Sequence, residues 1–419
     1  MTDIDTFANP WPARDNTRIT SVRSIVTAPE GIALVVVRID TNVPGLYGLG
    51  CATFTQRWKA VQTFVDEHLA RLLIGRYPGD IGDLVRLAAF SGYWRGGPVS
   101  NNAISGIDEA LWDIAGKRAG LPVHELLGGK VRAGAETYLH ASGRTVEETI
   151  DHAHSLLDAG WRHIRLQVST PGGGGYGAPQ VPTEYPDAPY ANGWSARDYL
   201  RGVPSLFEAA RDALPENVEL LHDVHSRLTP KDAIWLARAL EPYRPYFLED
   251  VLPPELWDRL PEVRAASPVP IAVGELTTSF TDAARLVTGS GVDFIRCHVS
   301  DIGGLTAARK IADVAEVFGV KTAWHGPGDT SPIGAAANLA LDVSSVAFGI
   351  QEGHVYNDAT YEVFPGAPRI RDGWLFANEE PGWGIDVDES AAARFPAELS
   401  AHDSWAAGVR GPDGALQAP

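Results

Sequence analysis

Three acidic residues stand at equal intervals in the middle of the chain, and each closes a short apolar run. Asp223, Glu249 and Glu275 follow one another at steps of 26 residues. The runs VELLHD, YFLE and PIAVGE are typical of strands that are buried on both faces of a parallel sheet. A step of this length suits one strand, one helix and two loops. The pattern predicts βα units in which the three carboxylates lie at the C-terminal ends of the strands. Barrel enzymes carry their active-site residues at that end.

The same rhythm runs from about residue 135 to residue 351. The predicted strands are 135–140, 163–168, 218–223, 245–249, 270–275, 293–298, 321–325 and 346–351. Eight strands are enough to close a barrel. A stretch rich in glycine, proline and tyrosine at 171–193 interrupts the rhythm and predicts a long lid or binding loop.

The first 130 residues lack this rhythm and predict a separate α+β domain. Its elements are an antiparallel meander at 18–27, 31–41 and 45–54, and helices near 57–73, 80–90 and 102–119. We therefore predict an α+β domain over 1–130 and a barrel domain over 131–369. The segment from about 370 to 419 has no barrel pattern and is expected to rejoin the first domain.

The charge and the cysteine content limit which partners the protein can bind and in which cellular compartment it is expected. The formal net charge of −18 argues against nucleic acid, because phosphate contacts need a basic face. Cys51 and Cys297 are too few for a disulfide framework and fit a reducing cytoplasm. The sequence contains neither a signal core nor an apolar run of membrane length, so we expect a cytoplasmic protein without a membrane partner.

The three carboxylates and a nearby histidine predict metal-assisted proton chemistry. Three convergent carboxylate oxygens suit Mg²⁺, which keeps its remaining positions for water or substrate. His225 lies two residues after Asp223 and is expected to face the same way, whereas His222 should point to the packed helices. His225 is thus a candidate general acid. The alternative is a structural histidine.

Further candidates lie at the ends of other predicted strands. His325 ends the seventh strand, and the following Ser331 predicts a helix start that favours a substrate carboxylate. Glu352 ends the eighth strand and can accept hydrogen bonds from substrate hydroxyls. Arg165 can activate Tyr176 as a base if the loop folds back, because a neighbouring cation favours the phenolate. Loop salt bridges, a structural arginine and a solvent-facing tyrosine remain the alternatives.

This set of groups indicates one reaction class. A metal-bound carboxylate substrate loses its α-proton more readily, because the metal stabilises the enediolate. If a β-hydroxyl then leaves with a proton from an acid, the product is a 2-keto-3-deoxy acid. Without a leaving group, reprotonation gives racemisation or epimerisation.

The chain resembles the enolase superfamily of the mandelate racemase and muconate lactonizing enzyme type, and within it the D-mannonate dehydratase family. The resemblance covers most of the chain and is carried by SGYWRGGPVSNNAISGIDEALWDIAGKRAGLPVHELLGGKVR, TYLHASG, LLHDVHSRLTP, FLED, VGE, HGPGDTSP and FGIQE. It implies an α+β capping domain over a (β/α)₇β barrel resembling a TIM barrel, and a homo-oligomer that is often an octamer. The roles that it implies are Mg²⁺ ligation by Asp223, Glu249 and Glu275, base catalysis by Tyr176 with Arg165, acid catalysis by His225, and substrate contacts from His140, His325, Asp329 and Glu352.

The sequence departs from that family where substrate is recognised. Thr55 stands where the family has an asparagine that reaches the substrate, and Gly328 and Thr330 change the motif after the seventh strand. The C-terminal tail also differs. We therefore expect an Mg²⁺-dependent acid-sugar dehydratase, a lyase, with little or no activity on D-mannonate. The alternatives are a gluconate or galactonate dehydratase, an acid-sugar epimerase, or a metabolite-binding regulatory protein with little turnover.

Overall fold

The computed structural model describes residues 14–168, 194–399, 409–410 and 415–417. Its first domain is an antiparallel sheet packed on helices. The strands are β1 (Ile19–Thr27), β2 (Leu34–Thr41) and β3 (Tyr47–Cys51), in that order across the sheet. The helices are α1 (Trp58–Thr63), a π-helical segment (Phe64–Leu69), α2 (Ala70–Leu73), α3 (Ile81–Phe90), α4 (Pro98–Ala119) and α5 (Val123–Leu126), with a 3₁₀ turn at Thr55–Arg57.

Helix α4 packs unusually close to β3 because two glycines stand at the contact. A Cβ on Gly48 would lie 1.9 Å from the carbonyl oxygen of Ala110, and one on Gly50 would lie 2.0 Å from that of Gly106. Only glycine fits at such an approach of one backbone to another. The helix begins at Pro98, earlier than predicted, because proline is well suited to the first helical turn.

The second domain is a parallel barrel. Its strands are β4 (Ala135–Gly143), β5 (His163–Val168), β6 (Glu219–Asp223), β7 (Phe247–Glu249), β8 (Ile271–Val273), β9 (Phe294–Ile295), β10 (Lys321–Thr322) and β11 (Gln351–Glu352). They are hydrogen-bonded in chain order from β4 to β10, and β11 pairs with β4. A single bridge between Thr322 and Phe348 joins the two remaining edges. The predicted fold, an eight-stranded barrel with an α+β N-terminal domain, is confirmed.

Helices cover the outside of the barrel, and polar caps set where several of them begin. The helices are α6 (Val146–Asp158), α7 (Ala196–Ala213), α8 (Pro230–Leu240), α9 (Leu260–Ala266), α10 (Phe280–Thr288), α11 (Leu305–Phe318) and α12 (Pro332–Ser344), with 3₁₀ turns at Glu241–Tyr243 and Pro254–Arg259. Thr145, Thr229 and Ser331 each accept a hydrogen bond from a backbone N–H of the first turn. Ser331 thus starts α12 as the sequence predicts.

The C-terminal segment runs back along both domains. Its elements are α13 (Asp358–Val363), β12 (Trp374–Leu375), α14 (Glu389–Ala392), β13 (Val409–Arg410) and β14 (Leu416–Gln417). β12 pairs antiparallel with β4 of the barrel. Trp383 donates its indole N–H to the carbonyl of Leu49 in the first domain. The predicted domain boundaries remain a prediction, and no helix in the described ranges is long and apolar enough to cross a membrane.

Candidate active site

Two of the three predicted metal ligands meet at the carboxyl end of the barrel. Asp223 ends β6 and Glu249 ends β7, and these strands are paired in register at the two acids. One oxygen of each lies within 4.8 Å of the other and of a carboxylate oxygen of Asp250. All three side chains are buried. Asp250, which the sequence analysis did not single out, belongs to this carboxylate cluster because a left-handed backbone (φ 40°) follows the strand.

Glu275, the third predicted ligand, lies beside the carboxylate cluster rather than within it. It follows Gly274 just beyond the end of β8. Its Oε2 is 2.8 Å from Nη1 of Arg296, and its Oε1 is 3.4 Å from Nε2 of His325. Since Nη2 of Arg296 is also 3.0 Å from Glu249, one guanidinium holds the two glutamates next to each other. Ligation by all three acids stays a prediction.

Arg296 is the central cation of the site, and the sequence analysis missed it. It follows β9, is fully buried, and contacts three glutamates. Besides Glu249 and Glu275, it forms a short ion pair with Glu352. Its Nε also donates to the hydroxyl of Tyr138 at 3.2 Å. A guanidinium has five donors and can satisfy this many acceptors at once.

Arg165 is a second buried cation at the same carboxylates. Its Nη1 is 2.6 Å from Glu249, 3.3 Å from Glu352 and 3.5 Å from Asp223. Its Nη2 donates to Nδ1 of His140 at 3.2 Å, so Nε2 of that ring carries the proton and donates to Glu352 at 2.8 Å. Burial and Arg165 lower the pKa of His140 to about 4, which keeps the ring neutral. Arg165, His140 and Glu352 thus form one network.

The acidic side chains of the site fall into two groups, one with a lowered pKa and one with a raised pKa. Burial alone would raise the pKa of Glu352, but Arg296 and other cations outweigh it and hold the pKa well below the ordinary value. His325 and Arg296 do the same for the pKa of Glu275. For Glu249, burial dominates and raises the pKa to about 8. Burial and Glu275 raise the pKa of Asp250 to about 7. The second pair therefore favours a proton or a further cation nearby.

His325 and His298 lie at the other side of Glu275. Their ring centroids are 4.9 Å apart. Although burial opposes it, Glu275 and Glu352 raise the pKa of His325 to about 9, so this ring is charged near neutral pH. Burial and the charged His325 lower the pKa of His298 to about 3. Asp329 lies close enough to both rings to share a ligand with them.

His225 reaches the site by a different route from the one predicted. The strand ends at Asp223, and His225 adopts a left-handed backbone with φ 56°. Its N–H donates to Oδ1 of Asp223 at 2.7 Å. It is one of the groups whose positive charge lowers the pKa of Glu275, after His325 and Arg296. His222 bonds Tyr199 of α7 at 2.6 Å, on the helix side as alternation along the strand predicts.

Two more residues were predicted to belong to the site, Thr55 and Tyr176. Thr55 is buried at the start of the 3₁₀ turn in the first domain. Tyr176, the predicted base, lies outside the described residues, so its role stays a prediction.

Two family models match the chain. Residues 2–128 match the mandelate racemase / muconate lactonizing enzyme N-terminal domain, and residues 148–391 match the enolase C-terminal domain-like family. The chain belongs to the enolase superfamily. Within that superfamily, a D-galactonate dehydratase family member from Catenulispora acidiphila is 61% identical over 410 residues, which cover 98% of this chain and 96% of the relative.

Two proteins from Pantoea ananatis are also similar to this chain. The D-galactonate dehydratase family member RspA is 49% identical, with 96% of this chain and 100% of the relative covered. A crystal structure of an enolase from the same organism, with bound D-gluconate and Mg, superposes with a TM-score of 0.89 at 47% identity, covering 96% of this chain and 100% of that one. The two relatives of 61% and 49% identity are named for D-galactonate rather than D-mannonate dehydratase, so the finer part of the predicted resemblance lacks support.

Proposed function

We propose that the protein is an Mg²⁺-dependent sugar-acid dehydratase whose first substrate to test is D-gluconate. The observation that carries the proposal is the carboxylate cluster beside two buried arginines at the mouth of an enolase-superfamily barrel. The relative of known structure that holds D-gluconate and Mg supports the choice of ligand and metal.

The donor set fits a divalent cation. Five acidic side chains face the mouth, and three cations oppose them, namely Arg165, Arg296 and the charged His325. Oδ2 of Asp250 is buried without a hydrogen bond among the described residues. The available donors next to it are oxygens, which Mg²⁺ prefers. Asp223, Glu249 and Glu275 would hold the ion, which would make the α-proton of a bound carboxylate more acidic.

The remaining steps belong to the side chains of the protein. The Tyr176–Arg165 pair takes the proton from the carbon next to the carboxylate. His225 donates a proton to the hydroxyl on the adjacent carbon, which leaves as water. The C–O bond electrons stay with that water, and the resulting enol becomes the 2-keto-3-deoxy acid. His325, Asp329 and Glu352 supply the hydrogen bonds that hold the hydroxyls and carboxylate of the substrate, and His140, whose ring nitrogens bond Arg165 and Glu352, fixes the positions of those two groups.

The relatives named for D-galactonate make D-galactonate the second candidate substrate. D-mannonate should be a poor substrate or none at all. Thr55 lacks the amide donors of asparagine, and losing a matched contact to a buried polar group costs roughly 1–3 kcal/mol.

A panel of six-carbon sugar acids tests the proposal. Purified protein is incubated with Mg²⁺ or with EDTA, and 2-keto-acid formation is measured together with exchange of the α-proton in D₂O. We expect Mg²⁺-dependent 2-keto acid from D-gluconate. Exchange or epimer formation without 2-keto acid would instead identify an epimerase. Tight binding without either reaction would identify a metabolite-binding protein.

A further inference from the structure

Three neighbouring side chains of the barrel, His298, His325 and Asp329, each carry a buried polar atom without a hydrogen bond. The atoms are Nδ1 of both rings and Oδ1 of the carboxylate, and none of them has a partner among the described residues. The two histidines are only 6% and 5% exposed. Buried polar groups are nearly always paired, so such exceptions need an explanation. The proposed reaction uses His325 and Asp329 for substrate contacts and gives His298 no role.

The three side chains converge closely enough to share one ion. One nitrogen of each ring and one carboxylate oxygen of Asp329 all lie within 4.8 Å of one another. Zinc bonds to such atoms are about 2.0–2.2 Å long, so two ligands of one tetrahedral ion lie roughly 3.4 Å apart. Small rotations of the side chains close the difference. The three groups therefore have the spacing of a metal site.

The backbone fixes both histidines before any ion binds. The N–H of His325 donates at 3.1 Å to the carbonyl of Cys297, which precedes His298, so the pairing of β9 with β10 continues beyond the strands. The side chain of Asn338, on α12, donates to the carbonyl of His325 at 3.1 Å. The carbonyl of His298 accepts from the N–H of Asp301 at 3.0 Å. Two ligands on adjacent, paired strand ends give a site whose geometry is set by the scaffold.

The charges near the three groups also suit a cation. Oε1 of Glu275 lies 3.4 Å from Nε2 of His325 and adds a negative charge to that of Asp329. When an ion binds, the ring of His325 releases the proton that an imidazolium carries, because only a neutral imidazole nitrogen is a ligand. The carboxylates that stabilise the charged ring would then stabilise the ion in its place.

We infer that His298, His325 and Asp329 form a second metal site, distinct from the predicted Mg²⁺ site, for a late first-row divalent cation such as Zn²⁺ or Co²⁺. Two imidazoles and one carboxylate suit these ions, whereas Mg²⁺ prefers oxygen donors alone. Three protein ligands leave a fourth position open to water. Because His325 and Asp329 also contact the substrate, the ion should exclude the sugar acid, and this consequence alone rests on the proposed function.

Zinc binding to the full-length, tag-free protein in millimolar Mg²⁺ tests the inference. Calorimetry should show Zn²⁺ bound with micromolar or tighter affinity, and Co²⁺ should give visible absorption bands of a nitrogen-ligated site. His298→Asn should remove these bands and weaken Zn²⁺ binding at least tenfold. Asp329→Asn should act in the same direction, and its half-buried place before α12 makes it a second variant should His298→Asn fold poorly by circular dichroism. Asp223→Asn should keep the site, because the carboxylate cluster is not part of it.

His68→Asn is the matched control, because His68 is exposed in the π-helical segment of the first domain. It should keep the wild-type affinity for Zn²⁺. A wild type that binds no Zn²⁺ overturns the inference. Binding that survives His298→Asn and Asp329→Asn but is lost in Asp223→Asn also overturns it and assigns the ion to the carboxylate cluster.

The exclusion of substrate is tested separately, by kinetics with D-gluconate at saturating Mg²⁺. Zn²⁺ should raise the KM of the wild type several-fold and that of His298→Asn much less. Equal inhibition of both proteins would contradict exclusion through this site. If D-gluconate is not turned over, the proposed function fails while the binding results still decide the metal site, so the two failures are distinguishable.

Discussion

Replacing Arg296 by methionine should strongly destabilise the barrel. The substitution keeps an unbranched side chain and removes the charge that contacts Glu249 at 3.0 Å, Glu275 at 2.8 Å and Glu352 through a short ion pair. Removing one partner of a buried ion pair leaves uncompensated charge and costs roughly 3–5 kcal/mol. Because Arg296 faces three carboxylates and is fully buried, we expect a loss in that range.

The loss should depend on pH and on metal in a defined direction. Arg296 holds the pKa of Glu275 and Glu352 below their ordinary values. Its contribution is therefore present above the unfolded pKa near 4.3 and is lost as the pH falls through the depressed folded values. Mg²⁺ should stabilise the variant more than the wild type, since a divalent ion replaces part of the missing charge.

Urea unfolding at pH 7.5 in EDTA, followed by circular dichroism, measures this effect. Arg264→Met is the control, because Arg264 forms a partly exposed pair with Asp293 at 2.7 Å. Exposed pairs contribute about 1 kcal/mol or less. If Arg296→Met stays within about 1 kcal/mol of the wild type, the view of Arg296 as the charge that holds the glutamates together is wrong.

Three further predictions concern proton transfer, metal binding and burial of charge. His225→Asn should abolish 2-keto-acid formation and keep α-proton exchange in D₂O, and loss of both with intact ligand binding would contradict a separate acid role. Asp223→Asn should weaken Mg²⁺ binding at least tenfold by calorimetry, whereas Glu362→Gln, in a surface pair with Arg394 at 2.5 Å, should leave it unchanged. Asp342 is buried, and burial raises its pKa well above the ordinary value. Between the unfolded pKa of about 3.9 and the raised folded pKa, unfolding releases this proton, so wild-type stability falls by up to about 1.4 kcal/mol per pH unit as the pH rises. Asp342→Asn should remove that slope in urea unfolding at pH 5, 6 and 7, and a slope as steep as the wild type's would count against this account.

The arrangement of the barrel follows from sequence because its signals are local. Apolar runs spaced mostly by about one βα unit predict strands near the observed places, and cap residues such as Ser331 predict helix starts. A further local signal lies in β9 and the residues that follow it. Phe294, Arg296 and His298 alternate with Ile295 and Cys297, which lie in the apolar layer outside the barrel. The same alternation that was applied to His222 would have directed Arg296 and His298 inward.

Other features depend on contacts that no local pattern encodes. Asp250 joins the carboxylate cluster through a left-handed turn, where alternation along a strand no longer applies. Glu275 takes its orientation from Arg296 and His325, which come from two later strands. The direction of its side chain is therefore a property of the assembled barrel rather than of the sequence around residue 275.

The turn after β6 ties the position of His225 to that of Asp223. His225 and Ser226 both adopt left-handed backbones, which cost non-glycine residues of order 1–3 kcal/mol each. Two hydrogen bonds offset this cost, from His225 N–H to Asp223 at 2.7 Å and from Ser226 N–H to the carbonyl of Asp250 at 2.6 Å. A carboxylate that would bind the metal therefore also anchors the backbone of the histidine that would donate the proton. A cation that orients Asp223 would set the position of His225 as well, so the turn would couple metal binding to the geometry of proton transfer.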